Sequence, residues 1–195
     1  SESTRVVTDH LPHSIQTSAA HGTVTKCPDL AVYDFNTEVT LTAVPEPGYV
    51  FQNWTVNGVD AFRNRLIESS NPTLILTAVR DYEVVAHFVP ITRIIELRAV
   101  DLIWERQVVG GSSDGTFEIT NSGNSPLTVE HIALPAGFHG NWAGTIAPGS
   151  SQEVTVTFAP TAAGTYSGDI TVASDATEGT PVIPVSAVAQ NAYYL

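Results

Sequence analysis

The sequence predicts an all-β protein built as two domains, and three observations carry that prediction. Apolar residues recur with a period of two, turn-forming dipeptides punctuate those runs, and no stretch presents a convincing helical face. Val39, Leu41 and Ala43 alternate with Thr40 and Thr42, which reads as a strand with one buried and one wet face. Pro47-Gly48 follows, supplying the fixed φ and the positive φ of a type II turn. Asn57-Gly58 between Val56 and Val59 is a hairpin signal, and residues 60–70 have room for a helical turn or two. Val84, Ala86 and Phe88 form the next alternating row, and Phe117 and Ile119 the one after. Pro148-Gly149 is a second type II turn signal, leading into Val154, Val156 and Phe158. Tyr166, Ile170 and Val172 complete the series.

Composition narrows the function classes. A chain of 195 residues, 43% of them hydrophobic, can bury a core in each of two domains. Twenty acidic side chains face eight basic ones, of which Lys26 is the single lysine, and the net charge of −12 argues against nucleic acid, whose phosphates need clustered cations. The same charge keeps chains apart, so a monomer is expected. No run approaches the roughly 20 apolar residues that span a bilayer, so no membrane insertion is expected. Cys27 is alone; it makes no internal disulfide and reads as a small buried or half-exposed thiol. The abrupt limits at Ser1 and Leu195 lead to the expectation of a piece cut from a longer protein.

The halves separate near Pro90, giving domains at 1–90 and 91–195. In the first, the Gly-Thr-Val of AAHGTVTKCPD, the strand Val-Thr-Leu-Thr-Ala, the block Gly-Tyr-x-Phe-x-x-Trp at 48–54 and the closing Val-x-Ala-x-Phe at 84–88 stand in that order. Together, over about residues 12–90, they resemble the divergent internalin B-repeat. That resemblance implies a small sheet-based module of the β-grasp type, used in bacterial surface proteins as a spacer or interaction unit. The stretch 57–71 is longer and more polar than the usual turn.

In the second half the marks are TNSGNSPLTV, the IAPG turn, VTVTFAPTAAGTYSG and TPVIPVSAVA. Over about residues 92–190 they resemble the Hydin/ASH-type immunoglobulin-like module that bacteria carry as the choice-of-anchor D domain. The resemblance implies a β-sandwich of seven or eight strands in exported or cell-surface bacterial proteins, with no catalytic activity. A tyrosine corner is expected at Tyr166, whose hydroxyl should turn back to upstream backbone. Gly168 stands where the disulfide cysteine of immunoglobulin domains would follow, so packing must join the sheets. Trp104 stands where this pattern expects a buried aromatic in the first strand.

Candidate chemistry is sparse. No G-x-S-x-G occurs, and Ser112-Ser113 follows a pair of glycines. His10 and His13 have an H-x-x-H spacing, but Pro12 and a strand-like flank point to solvent-exposed side chains rather than zinc ligands. His131 and His139 read as surface residues. Asp175 and Glu178, with Asp169 on the preceding strand, are weak calcium candidates; the spacing of a dedicated calcium loop is absent. No cofactor is expected. Trp54 reads as core. Trp142, in FHGNWAG between strands, is the one tryptophan with two open readings: a core ring, or an exposed platform stacking on a sugar with Phe138 and Asn141 beside it. Tyr193 and Tyr194 lie past the last strand. The sequon at Asn53 contains Trp54 and reads as idle.

The expected function is a non-catalytic structural or interaction module of a larger exported bacterial protein. Its partners would be neighbouring domains of the same polypeptide and, beyond them, a polysaccharide or another surface protein. The alternative is a carbohydrate-binding accessory module of an extracellular polysaccharide-degrading enzyme, resting on Trp142 and the 57–71 loop. Residues 91–98, without glycine or serine and rich in β-branched side chains, are expected to be extended and partly buried at a fixed joint rather than a flexible linker.

Overall fold

The structure is a computed structural model that describes residues 11–57, 59–60, 71–104 and 106–192. The described residues form strands, turns and loops and contain no helix. The chain divides after Pro90 into two compact units. His10, Tyr193, Tyr194 and residues 61–70 of the long loop lie outside the described residues.

The first unit contains β1 (Ile15–Ala19), β2 (Gly22–Cys27), β3 (Glu38–Pro45), β4 (Tyr49–Val56), β5 (Val59–Asp60), β6 (Thr73–Thr77) and β7 (Tyr82–Pro90). They make two sheets, in the orders β1-β7-β4-β5 and β2-β3-β6. β1 runs parallel to β7, and the other pairings are antiparallel. Inward residues of both sheets meet in one core, where Val39 and Leu41 face Trp54, Val84 and Ala86. The Pro47-Gly48 turn forms as its residues predict: Gly48 has φ +87°, and the Tyr49 N–H donates to the Glu46 carbonyl at 3.1 Å. Asn57 takes φ +50° in the hairpin joining β4 to β5.

Period two decides Lys26 and Cys27 in a way their chemistry alone does not. Lys26 falls on the inward side of β2, where its ammonium reaches the Leu30 carbonyl at 3.2 Å and the Asp29 carboxylate at 3.3 Å. Cys27 therefore points outward and is exposed, which corrects the expectation of a buried or half-exposed thiol. The loop after β2 plugs the end of the core with Tyr33, whose hydroxyl donates to the Pro28 carbonyl at 2.9 Å.

The second unit contains β8 (Ile94–Asp101), β9 (Gln107–Val108), β10 (Ser113–Asn121), β11 (Leu127–Ala133), β12 (Phe138–His139), β13 (Gly144–Ile146), β14 (Ser151–Phe158), β15 (Gly164–Ser174), β16 (Glu178–Gly179) and β17 (Val182–Gln190). Two five-stranded sheets, β12-β14-β10-β8-β16 and β13-β11-β15-β17-β9, form a sandwich. Phe117, Val156 and Phe158 from the first sheet pack with Leu127, Ile170 and Val172 from the second. A ring or branched chain buried this completely contributes roughly 1.5–3 kcal/mol. Residues 91–93 are half-buried and the chain from Ile94 is extended, as predicted, because that segment is the opening strand of the sandwich.

Gly149 has φ +69° in the second type II turn, closed by Ser150 N–H donating to Ala147 at 3.1 Å. At Gly168 no disulfide cysteine could be accommodated without movement, since an added Cβ would lie 2.7 Å from the Pro135 ring. Pro135 thus fills the space that a side chain on β15 would occupy.

Candidate functional site

The segment from Phe138 to Gly144 carries the three candidate binding residues, and they occupy different positions. Phe138 is buried. Its ring lies 5.0 Å from those of Trp104 and Phe158, so it belongs to the aromatic centre of the sandwich and presents no face to a ligand. This corrects its assignment as a binding residue: β12 pairs with the end of β14, and that register turns Phe138 inward. Asn141 is exposed, but its Oδ1 accepts the Ile132 N–H at 3.1 Å and fixes the loop against β11. Trp142 is half-buried, packed against the core and laid over Gly144, where an added Cβ would approach the indole to 2.8 Å. One side of its ring is therefore committed to packing.

The other tryptophans are structural. Trp54 is fully buried and donates its indole N–H to the Asn71 carbonyl at 3.2 Å. Trp104 is buried as expected, but in the loop after β8 rather than on the first strand, with its N–H donated to the Ser113 carbonyl at 3.2 Å.

Tyr166 forms the predicted corner. Its hydroxyl donates to the Ala162 carbonyl at 2.9 Å, and its ring meets Phe158 edge-on at 5.2 Å. Gly137 has φ +87° and lets the chain pass beneath that ring, since a Cβ there would come within 2.6 Å of it.

Asp175 was a weak calcium candidate, and both of its oxygens have other work. Oδ1 accepts the Thr128 N–H at 2.7 Å, and Oδ2 lies 3.3 Å from the Arg93 Nε. Arg93 also donates to the Pro126 carbonyl, and its backbone N–H to the Thr177 hydroxyl, both at 2.9 Å. Asp175 is thus a strut tying the start of the sandwich to two loops. Glu178 and Asp169 are exposed on β16 and β15. Among the described residues no three histidine, cysteine or carboxylate side chains converge on a metal position.

His13 is half-buried rather than solvent-exposed. It bridges to Tyr33 through backbone hydrogen bonds, and its Nδ1 lies 3.9 Å from Asp81. His131 and His139 are exposed as expected. A register shift at Val129/His131 turns both Glu130 and His131 outward.

Two groups escaped sequence reasoning. Asn121 is fully buried at the end of β10. It donates to the Ser125 and Ile146 carbonyls at 2.9 and 3.0 Å and accepts the Gly123 N–H at 3.0 Å. Its signal was the TNSGN turn, where an asparagine side chain can replace backbone partners. The Arg93–Asp175 pair joins residues 82 positions apart (175 − 93), a separation no local pattern reports.

Two family models match the chain, one in each unit. The divergent InlB B-repeat domain family matches residues 13–92, and the HYDIN/CFA65/VesB-like, Ig-like domain family matches residues 106–186. A search of curated protein sequences finds no match. Among solved structures, the chain is similar to the ASH/PapD-like domain 7 of human CEP192, at 16% identity and a TM-score of 0.43, over 53% of this chain and 89% of that one. The Vibrio cholerae VesB protease matches at 20% identity and a TM-score of 0.35, over 50% of this chain and 32% of the protease. The CARDB domain of a Pyrococcus furiosus protein matches at 17% identity and a TM-score of 0.37, over 51% of this chain and 94% of that one. The chain thus carries a divergent InlB B-repeat domain followed by a HYDIN/CFA65/VesB-like immunoglobulin-like domain.

Proposed function

We propose that the chain is a non-catalytic structural and interaction module of an exported or cell-surface bacterial protein, of the kind called choice-of-anchor D in its second domain. The observation that carries this reading is where its chemically capable side chains are spent. Trp54, Trp104 and Phe138 lie in cores, Tyr166 pins a corner, and Asn121, Arg93 and Asp175 tie loops together. Such a module spaces or presents other domains of the same polypeptide and meets partners through its surface.

The competing reading is a carbohydrate-binding accessory module, which keeps Trp142 but loses Phe138 as a second ring. A glycan array followed by titration with soluble neutral polysaccharides separates the two. No saturable binding is expected, and Trp142→Ala should lower stability by about 2–3 kcal/mol, below the full cost of a buried tryptophan because the ring is half-exposed. Saturable neutral-glycan binding that disappears in a well-folded Trp142→Ala variant would establish the accessory reading instead.

A further inference from the structure

We propose that the free edge of β8, from Glu96 to Ala99, receives an extended cationic segment of a partner protein as an added strand. The proposal rests on the interaction-module reading and names the partner's chemistry. β8 pairs with β10 along one side, but on the other, among the described residues, it pairs only with β16, at Ile94 and Ile95. The Ile94 carbonyl accepts the Ser122 N–H on the β10 side. Antiparallel alternation then turns the backbone groups of Ile95, Leu97 and Ala99 to the opposite side. Gly179 closes over Ile95, so tightly that any Cβ there would collide with its carbonyl. Past that point no strand flanks Leu97 and Ala99 among the described residues.

A groove of about 550 Å³ opens here, lined by Ile95, Leu97, Thr180 and Val182, with Glu96 and Glu178 on it. It continues the line of β16, which is itself a two-residue strand added to the same edge. The neighbouring edge, that of β17, is treated differently. Pro184 sits opposite Asp169, at a position where the strand's N–H would face away from β15, so proline removes the donor an incoming strand would need. β8 has no such block before the register shift that follows Ala99.

Charge selects the occupant. Asp101, Glu178 and Glu96, whose Oε1 accepts the Ser122 hydroxyl at 2.6 Å, are exposed, whereas Arg98, the cation on β8, is held by Glu118. A second copy, with net charge −12, is repelled from such an edge. A strand alternating apolar and basic residues satisfies it, with backbone hydrogen bonds to Leu97 and Ala99 and cations beside the carboxylates.

The test is amide NMR on the full chain, titrated with a capped peptide of alternating valine and lysine and with its valine–glutamate counterpart. Saturable shifts of the Leu97 and Ala99 amides are expected with the lysine peptide and should weaken at high salt. Ala99→Pro removes an N–H that faces away from β10, and should weaken binding about tenfold. Ser186→Pro on β17 should leave binding unchanged. Should Ala99→Pro misfold, the wild-type chain with a lysine peptide N-methylated at alternate residues gives the same answer, binding being lost. No saturable shift with the lysine peptide, equal binding of the glutamate peptide, or shifts centred on β17 would overturn the proposal. None of these outcomes bears on glycan binding at Trp142, so the two readings fail separately.

Discussion

Tyr166 and Asn121 show how single side chains hold the sandwich without a disulfide. Tyr166 supplies one hydrogen bond to the Ala162 carbonyl and a ring against Phe158. Tyr166→Phe should therefore cost about 1 kcal/mol. Tyr166→Ala should cost roughly 2–3 kcal/mol, less than for a wholly buried ring, and denaturant unfolding measures both. Equal, negligible losses would remove the corner from the account. Asn121→Ala leaves two buried carbonyls without their donor, and about 2–3 kcal/mol of destabilisation is expected by the same measurement. On the first unit, the Ser14 backbone N–H on Asp81 is the main reason its pKa lies below the usual aspartate value. The Ser14 hydroxyl and His13 act in the same direction. Asp81 thus contributes stability fully above its unfolded pKa of about 3.9, and loses it as pH falls through its lower folded value. Asp81→Asn should flatten the acid side of the stability profile, as read from melts between about pH 5 and about pH 2. Glu118, held down chiefly by Arg98, follows the same sign on the second unit.

At the scale of elements, the turns separate two kinds of glycine. Gly149 has a positive φ and open space around its Cβ position, so Gly149→Ala pays only backbone strain, about 1 kcal/mol. Gly168 lacks a positive φ but abuts Pro135, so Gly168→Ala must move a packed ring and should cost roughly 1–3 kcal/mol. Thermal unfolding of the two variants gives the comparison, and a harmless Gly168→Ala would show that Pro135 moves freely. The turns themselves were legible because proline and glycine act on their own dihedrals. Trp104 was legible as buried but not as a loop residue. Its burial depends on Phe138 and Phe158 arriving from β12 and β14, whereas its backbone follows the end of β8.

On the scale of the whole molecule, two separate cores organise the chain. Leu41 belongs to one and Phe117 to the other. Leu41→Ala should cost about 2–5 kcal/mol and Phe117→Ala about 3–5 kcal/mol. Hydrogen exchange should accelerate only within the unit that carries each change, and the two losses should add. Strong non-additivity would show a shared core. The sequence by itself determined the all-β class, the two units, the turn positions and most core residues, including Val39, Leu41, Phe117 and Val156. Alternation and turn chemistry act over a few neighbouring residues, so a linear reading contains them. Only the tertiary structure decided that Phe138 is core, that Asp175 is a strut to Arg93, and that, among the described residues, no strand pairs with the outer edge of β8 beyond Ile95. Each depends on which distant segment arrives beside it, and burial, ion pairing and strand coverage are properties of that meeting rather than of either segment alone.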